Sequence, residues 1–93
     1  MARIYTLTLA PSLDSATLTA QIYPEGKLRC TAPVFEPGGG GINVARAIVH
    51  LGGQATAIFP SGGATGEHLC ALLLDEHVAI DTINARDWTR QNL

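Results

Sequence analysis

A chain of 93 residues can form one small domain, which buries only part of its surface because small domains have a high ratio of surface to volume. Hydrophobic residues make up 46% of the sequence and charged residues 15%, a balance that suits a buried α/β interior and excludes a disordered chain. The net charge of -2 and the six scattered basic residues give no electrostatic surface for nucleic acid.

Membrane and metal-binding roles are also disfavoured. No apolar run approaches the length of a membrane span, and the N-terminus lacks the charged-then-apolar order of a signal peptide, so we expect a cytoplasmic protein with no membrane partner. Cys30 and Cys70 stand alone, without a C-x-x-C pattern, and are interpreted as reduced packing residues. His68 and His77 fall on no common ligand face, so no metal site is predicted.

The first predicted element is a strand from Ile4 to Leu9, in which the side chains alternate between two faces. It stops at Ala10-Pro11-Ser12. Asp14 follows, beyond the carboxyl end of this strand, where open α/β sheets bind ligands. An aspartate beside Ser and Pro is also a common turn former, and position alone favours the turn.

An antiparallel hairpin is predicted next, with strands from about Ala16 to Tyr23 and from Lys27 to Val34 and a turn at Pro24-Glu25-Gly26. Alternation gives it one apolar face, which must meet another surface because a two-stranded ribbon is marginal alone. A plain doubly wound fold has no such insertion before its first helix, so we interpret the hairpin as a lid. An edge hairpin lying on its own domain is the alternative.

Four consecutive glycines, Gly38 to Gly41, then run directly into a helical pattern. Such a run exposes backbone N–H groups that helix formation leaves unpaired, which suits the binding of oxygens or anions. A simple turn needs fewer glycines, since each one costs chain entropy on folding. The dinucleotide-binding motif G-x-G-x-x-G/A is absent, because Asn43 or Val44 stands where its last small residue is required. The Walker motif is absent as well, because Gly26-Lys27 is followed by Leu28 instead of Ser or Thr.

The helix after the glycines is predicted from about Ile42 to Leu51, with Gly52-Gly53 ending it. Asn43, Arg46 and His50 form one narrow polar stripe, and the apolar remainder predicts that most of the helix is buried. Asn43 lies in the first turn, where its amide can cap the backbone or hold a ligand hydroxyl. His50 is interpreted as a partner of the helix dipole.

The remaining pattern alternates between strands and helices. Ala55 to Phe59 is nearly all apolar and predicts a central parallel strand covered on both faces, which Pro60-Ser61-Gly62-Gly63 ends. A second helix begins at Thr65, with a buried stripe of Leu69, Leu72 and Leu73 and with Glu67, His68, Asp75 and Glu76 facing outward. Val78 to Ile83 predicts a third strand, and residues 88–93 begin a fourth. Because the chain stops inside that strand, we interpret the sequence as a truncated segment.

The glycine run also matches, position by position, the first signature of the ribokinase-like (PfkB) carbohydrate kinases. Gly39-Gly40-Gly41 is followed after one residue by Asn43 and after one more by Ala45; Gly52 follows six intervening residues and Gly62 nine more. The whole chain resembles the opening segment of such a kinase. The resemblance implies an α/β, ribokinase-like fold, here the N-terminal part of a mostly parallel sheet flanked by helices, with an inserted β-hairpin lid.

The implied domain organisation is one N-terminal segment of a carbohydrate kinase domain, residues 1–93, with lid strands at about 15–35 and 88–93 and an α/β core elsewhere. The implied activity is transfer of the γ-phosphoryl group of MgATP to the 1-hydroxyl of fructose 6-phosphate. The family's Gly-Ala-Gly-Asp motif, which carries the base and the anion site, is absent. No catalytic residue is therefore expected in this segment, and the segment alone is expected to be inactive.

The substrate contacts that the resemblance implies are Asp14, Gly38, Gly39, Gly40, Gly41, Asn43, Arg90 and Lys27. The first six are expected at the sugar, and the two cations at its 6-phosphate. Lys27 lies on the lid, and the resemblance implies a homodimer formed through the lid hairpin. In that dimer Lys27 would serve the neighbouring subunit's site or contact nucleotide phosphate. Considered without the family, Lys27 and Arg90 are two exposed cations of the usual surface kind.

Two alternatives stay open. The signature is shared by the family, so another sugar kinase, such as 1-phosphofructokinase or tagatose 6-phosphate kinase, fits it equally. A non-catalytic dimerisation or sugar-binding fragment fits the absent motif and the apolar hairpin.

Overall fold

The structure is a computed structural model that describes residues 3–16, 19–22, 28–30 and 34–92. The elements in these ranges are, in order, β1 Tyr5–Leu7, β2 Ser12–Ala16, β3 Thr19–Ile22, β4 Leu28–Cys30, β5 Val34–Gly38, α1 Gly40–His50, β6 Thr56–Ser61, α2 Gly63–Asp75, β7 Ala79–Asn84 and β8 Arg90–Asn92. The α/β class predicted from the sequence is confirmed, because helices alternate with the strands of a parallel sheet.

That sheet has the order β1-β6-β7, and both strand pairs are parallel. Strand β6 continues through Pro60 to Ser61, two residues beyond the predicted Phe59, and ends within the predicted stretch from Pro60 to Gly63. The last bond from β1 joins the Thr8 N–H to the Ile58 carbonyl, and Pro60 follows on that same edge. Because β1 has no partner there, the N–H that proline lacks is not needed.

Both helices pack on one face of this sheet, α1 against β1 and β6, and α2 against β6 and β7. Right-handed crossovers between neighbouring parallel strands place successive helices on the same side. The buried cluster between helices and sheet contains Ile42, Ala45, Ala55, Ala57, Phe59, Leu69, Leu73 and Val78. Ile58 and Pro60 point to the other face and are only half-buried. The prediction that β6 is covered on both faces is therefore wrong for the described residues.

Helix α1 begins two residues before its predicted start, because Gly40 and Gly41 already have helical geometry. Only Ile42 and Ala45 are buried in it, while Val44 is 53% exposed, so the prediction of a mostly buried helix is wrong. Its glycine stop is confirmed. Gly52 has a φ of +90°, its N–H donates to the Val49 carbonyl, and the next N–H donates to the Ile48 carbonyl, as in a Schellman motif.

A second three-stranded sheet has the order β5-β2-β8. Strand β2 pairs antiparallel with β5 and parallel with β8, and α2 packs against β2 and β5. The Phe35 and His68 rings lie 5.0 Å apart at this contact, and Leu13 is buried. Asp14 is thus a strand residue, and the turn that its neighbours suggested is not formed.

Strand β8 is fixed to the start of α2 through buried Thr89. The Thr89 N–H donates to the Gly62 carbonyl at 2.9 Å, and the Gly62 N–H donates to Thr89 Oγ1 at 3.2 Å. The Thr65 hydroxyl donates to the Thr89 carbonyl at 2.6 Å. The second helix begins at Gly63, two residues before the predicted Thr65. These bonds hold the second sheet against the first.

Strands β3 and β4 pair antiparallel, with Ile22 opposite Leu28 and an irregularity between Thr19 and Gln21. The predicted turn, residues 24–26, lies outside the described residues. The role of this pair as a lid, and the division into lid and core, stay predictions.

A charged contact links α1 to the end of α2. Arg46 Nε donates to Glu76 Oε1 at 2.8 Å, and His50 Nε2 lies 3.1 Å from the same oxygen. Glu76 therefore does not simply face outward, as the helical pattern predicted. The Arg46 hydrogen bond lowers the pKa of the Glu76 carboxyl; partial burial opposes this effect, and the His50 contact reinforces it.

We expect Glu76→Gln to lower the free energy of unfolding by about 0.5–1 kcal/mol at neutral pH. Because the folded-state pKa of Glu76 lies below its unfolded value, the carboxylate's contribution is complete above the unfolded pKa and is lost as the pH falls through the folded one. Urea unfolding at several pH values measures this difference. A difference between the two proteins that stays constant into acid would contradict the assignment.

Candidate functional site

The second sheet brings polar residues from three distant parts of the chain to one face. Residues paired across neighbouring strands carry their side chains on the same side of a sheet. One row contains Ser12, Gly38 and Arg90, and the next contains Asp14, Glu36 and Asn92. The predicted site residues Asp14, Gly38 and Arg90 therefore share this face, which we call the polar sheet face.

The carboxylate of Asp14 is oriented by two donors on one oxygen. Ser12 Oγ donates to Asp14 Oδ1 at 2.7 Å, and Asn92 Nδ2 donates to the same oxygen at 3.1 Å. No described residue donates to Oδ2. Oδ2 instead lies against the bare Cα of Gly38, where a Cβ would collide with it. The half-buried carboxylate thus keeps one oxygen for a donor from outside, and an ionised carboxylate makes strong hydrogen bonds to hydroxyl groups.

Packing within the protein explains three of the four glycines. At Gly38 a Cβ would collide with Ser12 and Asp14, and at Gly41 it would lie 2.6 Å from the Leu7 carbonyl oxygen. Gly39 has a φ of +127°, which side chains rarely adopt. Gly40 is exposed, and a Cβ there would have nothing within 4 Å.

The start of α1 offers hydrogen-bond donors beside these glycines. The first intrahelical bond joins the Asn43 N–H to the Gly39 carbonyl at 2.9 Å, and the buried Ile42 N–H donates to Thr8 Oγ1 at 2.8 Å. The N–H groups of Gly40 and Gly41 have no intrahelical acceptor, and the described residues offer them none. The Asn43 side chain is exposed, and no side chain caps the helix, so the capping role considered for Asn43 is not observed.

Arg90 is the predicted phosphate contact that the structure describes. It is exposed, forms no ion pair with a described residue, and lines a cavity of about 220 Å³ together with Leu9, Pro11, Trp88 and Thr89. The cavity lies just beyond the carboxyl end of β1. Lys27 falls outside the described residues, so its predicted place at the phosphate or in a partner subunit stays a prediction.

Sequence reasoning missed Ser12 and Asn92. Both could have been predicted, because strand residues two apart share a face. Ser12 lies two residues before Asp14, and Asn92 lies two residues after Arg90. The spacing was overlooked at Ser12 because Ala10-Pro11-Ser12 was interpreted as a turn.

A larger hollow of about 630 Å³ lies at the opposite, amino end of the parallel sheet. Its polar lining includes Arg3, Gln54 and His77, which are all exposed. We locate the candidate site on the polar sheet face instead, because open α/β sheets bind ligands beyond the carboxyl ends of their strands. Among the described residues, no three His, Cys, Asp or Glu side chains group to hold a metal ion, and no helix has the length and apolarity to cross a membrane.

The profile of the pfkB family of carbohydrate kinases matches residues 7–93. This chain belongs to the pfkB family of carbohydrate kinases. Over all 93 residues it is 83% identical to ATP-dependent 6-phosphofructokinase isozyme 2 of Escherichia coli (strain K12), covering 100% of this chain and 30% of that relative. The family resemblance that the glycine signature carried is thereby confirmed.

Solved structures agree with this assignment. The crystal structure of Escherichia coli phosphofructokinase-2 in complex with fructose-6-phosphate superposes with a TM-score of 0.84 at 82% identity, covering 98% of this chain and 30% of that chain. The tetrameric inhibited form of the same enzyme also superposes with a TM-score of 0.84 at 82% identity, covering 98% of this chain and 30% of that chain. The ribokinase-like fold class is confirmed. The pfkB chain described here spans about 30% of the length of these relatives.

The last two glycines of the run should respond differently to alanine. We expect Gly41→Ala to lower the free energy of unfolding by about 1–3 kcal/mol, because its Cβ must displace the Leu7 carbonyl. The matched control, Gly40→Ala, should leave stability unchanged or raise it by less than about 1 kcal/mol, since alanine favours a helix and meets no atom. Urea unfolding measures both. Equal losses at the two positions would contradict this account of the glycine run.

Proposed function

We propose that this chain is the sugar-binding segment of an ATP-dependent 6-phosphofructokinase, which transfers the γ-phosphoryl group of ATP to the 1-hydroxyl of fructose 6-phosphate. The observation that carries the proposal is the Asp14 carboxylate, whose Oδ1 accepts hydrogen bonds from Ser12 and Asn92 while Oδ2, beside Gly38, accepts none from a described residue. The 83% identity to a 6-phosphofructokinase supports this substrate over the other sugar phosphates that pfkB kinases use.

The site suits a polyol because it offers acceptors and donors side by side. Asp14 Oδ2 would accept a hydrogen bond from a sugar hydroxyl, and the N–H groups of Gly40 and Gly41 would donate to sugar oxygens. The exposed amide of Asn43 can do both. Gly40 and its open surroundings would let the ring approach the backbone closely.

We assign the 6-phosphate to Arg90. Arg90 is paired with Ser12, two residues along the strand from Asp14, which corresponds to about 7 Å. One small ligand can therefore contact both Arg90 and Asp14. A guanidinium group suits bidentate capture of a phosphate, and Arg90 forms no ion pair with a described residue, although Asp87 lines the same cavity. Lys27 is proposed as a second cation, serving the neighbouring subunit's sugar site or its nucleotide.

The phosphoryl donor of the E. coli relative is ATP. The described residues do not fit a magnesium site, because they hold no group of three possible ligands, so we assign neither the metal nor a catalytic base to this segment. We expect the segment alone to be inactive. We also propose a cytoplasmic enzyme and a homodimer in which the β3–β4 pair covers the sugar site and meets its counterpart. Escherichia coli phosphofructokinase-2 itself has a tetrameric form.

The test uses a chimera in which this chain replaces the matching segment of the E. coli relative. We expect the chimera to phosphorylate fructose 6-phosphate with a kcat/KM at least about tenfold above that for fructose 1-phosphate or tagatose 6-phosphate, a difference of about 1.4 kcal/mol in transition-state binding. Coupled turnover assays measure this preference. A preference for either of the other sugars, or no turnover by a folded chimera, would overturn the proposal.

The same assay tests the phosphate assignment. Arg90→Gln should raise the KM for fructose 6-phosphate by at least about tenfold, because a charged hydrogen bond contributes about 1.5–3 kcal/mol. Arg86→Gln is the matched control, since Arg86 is an exposed arginine of the preceding loop that does not line the 220 Å³ cavity. Equal KM values for the two variants would exclude Arg90 from the phosphate site.

A further inference from the structure

The glycine run cannot order itself, because it has no side chains and glycine loses more backbone entropy on folding than any other residue. Gly38 is paired with Ser12 in the β2–β5 ladder, Gly40 and Gly41 belong to α1, and two side-chain contacts restrain the backbone at the ends of the run. At the far end, the Ile42 N–H donates to Thr8 Oγ1. At the near end, Arg46 Nη1 donates to the carbonyl oxygen of Pro37 at 3.3 Å.

Arg46 is itself held from the other side. Its Nε donates to Glu76 Oε1 at 2.8 Å, and both side chains are only 24% exposed. Glu76 is the C-cap residue of α2, and its N–H bonds to carbonyls of the last helical turn. One guanidinium thus joins the end of α2 to the strand residue that precedes the glycines.

The geometry of the peptide group makes the bond to Pro37 informative. The peptide between Pro37 and Gly38 is planar and trans, so a fixed Pro37 carbonyl also fixes the direction of the Gly38 N–H. The proline ring fixes φ at Pro37, which leaves ψ as the backbone angle that Arg46 restrains. Gly38 is the residue whose bare Cα lies against Asp14 Oδ2.

We propose that Arg46 is a positioning residue for the sugar site: anchored by Glu76, it holds the Pro37 carbonyl and so preorganises Gly38 and the glycines that follow. The proposal rests on the proposed function, because it concerns the same site. As a consequence, the glycine run loses its backbone entropy on folding and not on binding the sugar. The affinity for the sugar is therefore higher, and ATP binding is unaffected.

Two variants of the chimera separate this role from a structural one. Glu76→Gln removes the charge of the ion pair, but its amide oxygen still accepts a hydrogen bond and the contact to Pro37 remains. Arg46→Met removes both contacts and keeps most of the side-chain volume. Both variants should lower the midpoint of thermal unfolding, Arg46→Met more than Glu76→Gln because it loses both contacts.

We expect Arg46→Met to raise the KM for fructose 6-phosphate about 3- to 10-fold, the range of one or two hydrogen bonds, with the KM for ATP unchanged. Glu76→Gln should keep both KM values within about twofold of the parent. Equal KM values for fructose 6-phosphate in the two variants would make Arg46 purely structural and overturn the proposal. Should Arg46→Met fail to fold, Arg46→Lys replaces it, because one ammonium group can pair with Glu76 but lacks the second arm for Pro37.

Hydrogen exchange in the absence of sugar gives a readout that does not depend on turnover. Faster amide exchange at residues 38–41 in Arg46→Met than in Glu76→Gln supports the positioning role, even if the chimera fails to use fructose 6-phosphate and the proposed function falls. Identical exchange in the two variants would reject the positioning role, even if the parent chimera is fully active.

Discussion

The hydrogen bonds to Asp14 are the interaction on which the candidate site depends. A carboxylate that is half removed from water needs hydrogen-bond partners, and here the donors come from its own strand and from a strand 78 residues further along the chain. Because both bonds end on Oδ1, the carboxylate has one orientation, and its second oxygen receives no donor from the part of the chain that the structure describes. The β5-β2-β8 sheet therefore does more than complete the fold, since its register determines which polar groups meet.

The glycine run complements this fixed carboxylate. Gly38, Gly39 and Gly41 are required by close contacts or by a positive φ within the protein, whereas Gly40 has open space around it. A backbone that approaches its neighbours so closely offers N–H groups to a ligand without the steric barrier of side chains. The same lack of side chains makes the run costly to order, which is why the contacts of Thr8 and Arg46 at its ends matter.

Local patterns predicted the parts of this structure that local forces determine. The glycine end of α1 and the alternation of strands and helices followed from turn chemistry and periodicity. The family resemblance grouped Asp14 with the glycines, and the structure places its carboxylate against Gly38. Patterns could not predict the pairing of β2 with β8, which is non-local, and so they missed Ser12 and Asn92. Among the described residues, helices cover only one face of β6, and an apolar strand does not reveal which of its faces a helix meets. The contributions of Lys27, the lid and the dimer stay predictions.

The affinity of the Asp14→Asn variant for fructose 6-phosphate tests the central claim most directly. Asparagine keeps the shape of the side chain but loses the charge, so calorimetry on the chimera should give a Kd raised by at least about tenfold, with ATP affinity unchanged. Asp81→Asn, at an exposed position on β7, is the matched control and should bind like the parent. An Asp14→Asn variant that binds the sugar phosphate as tightly as Asp81→Asn would contradict the account.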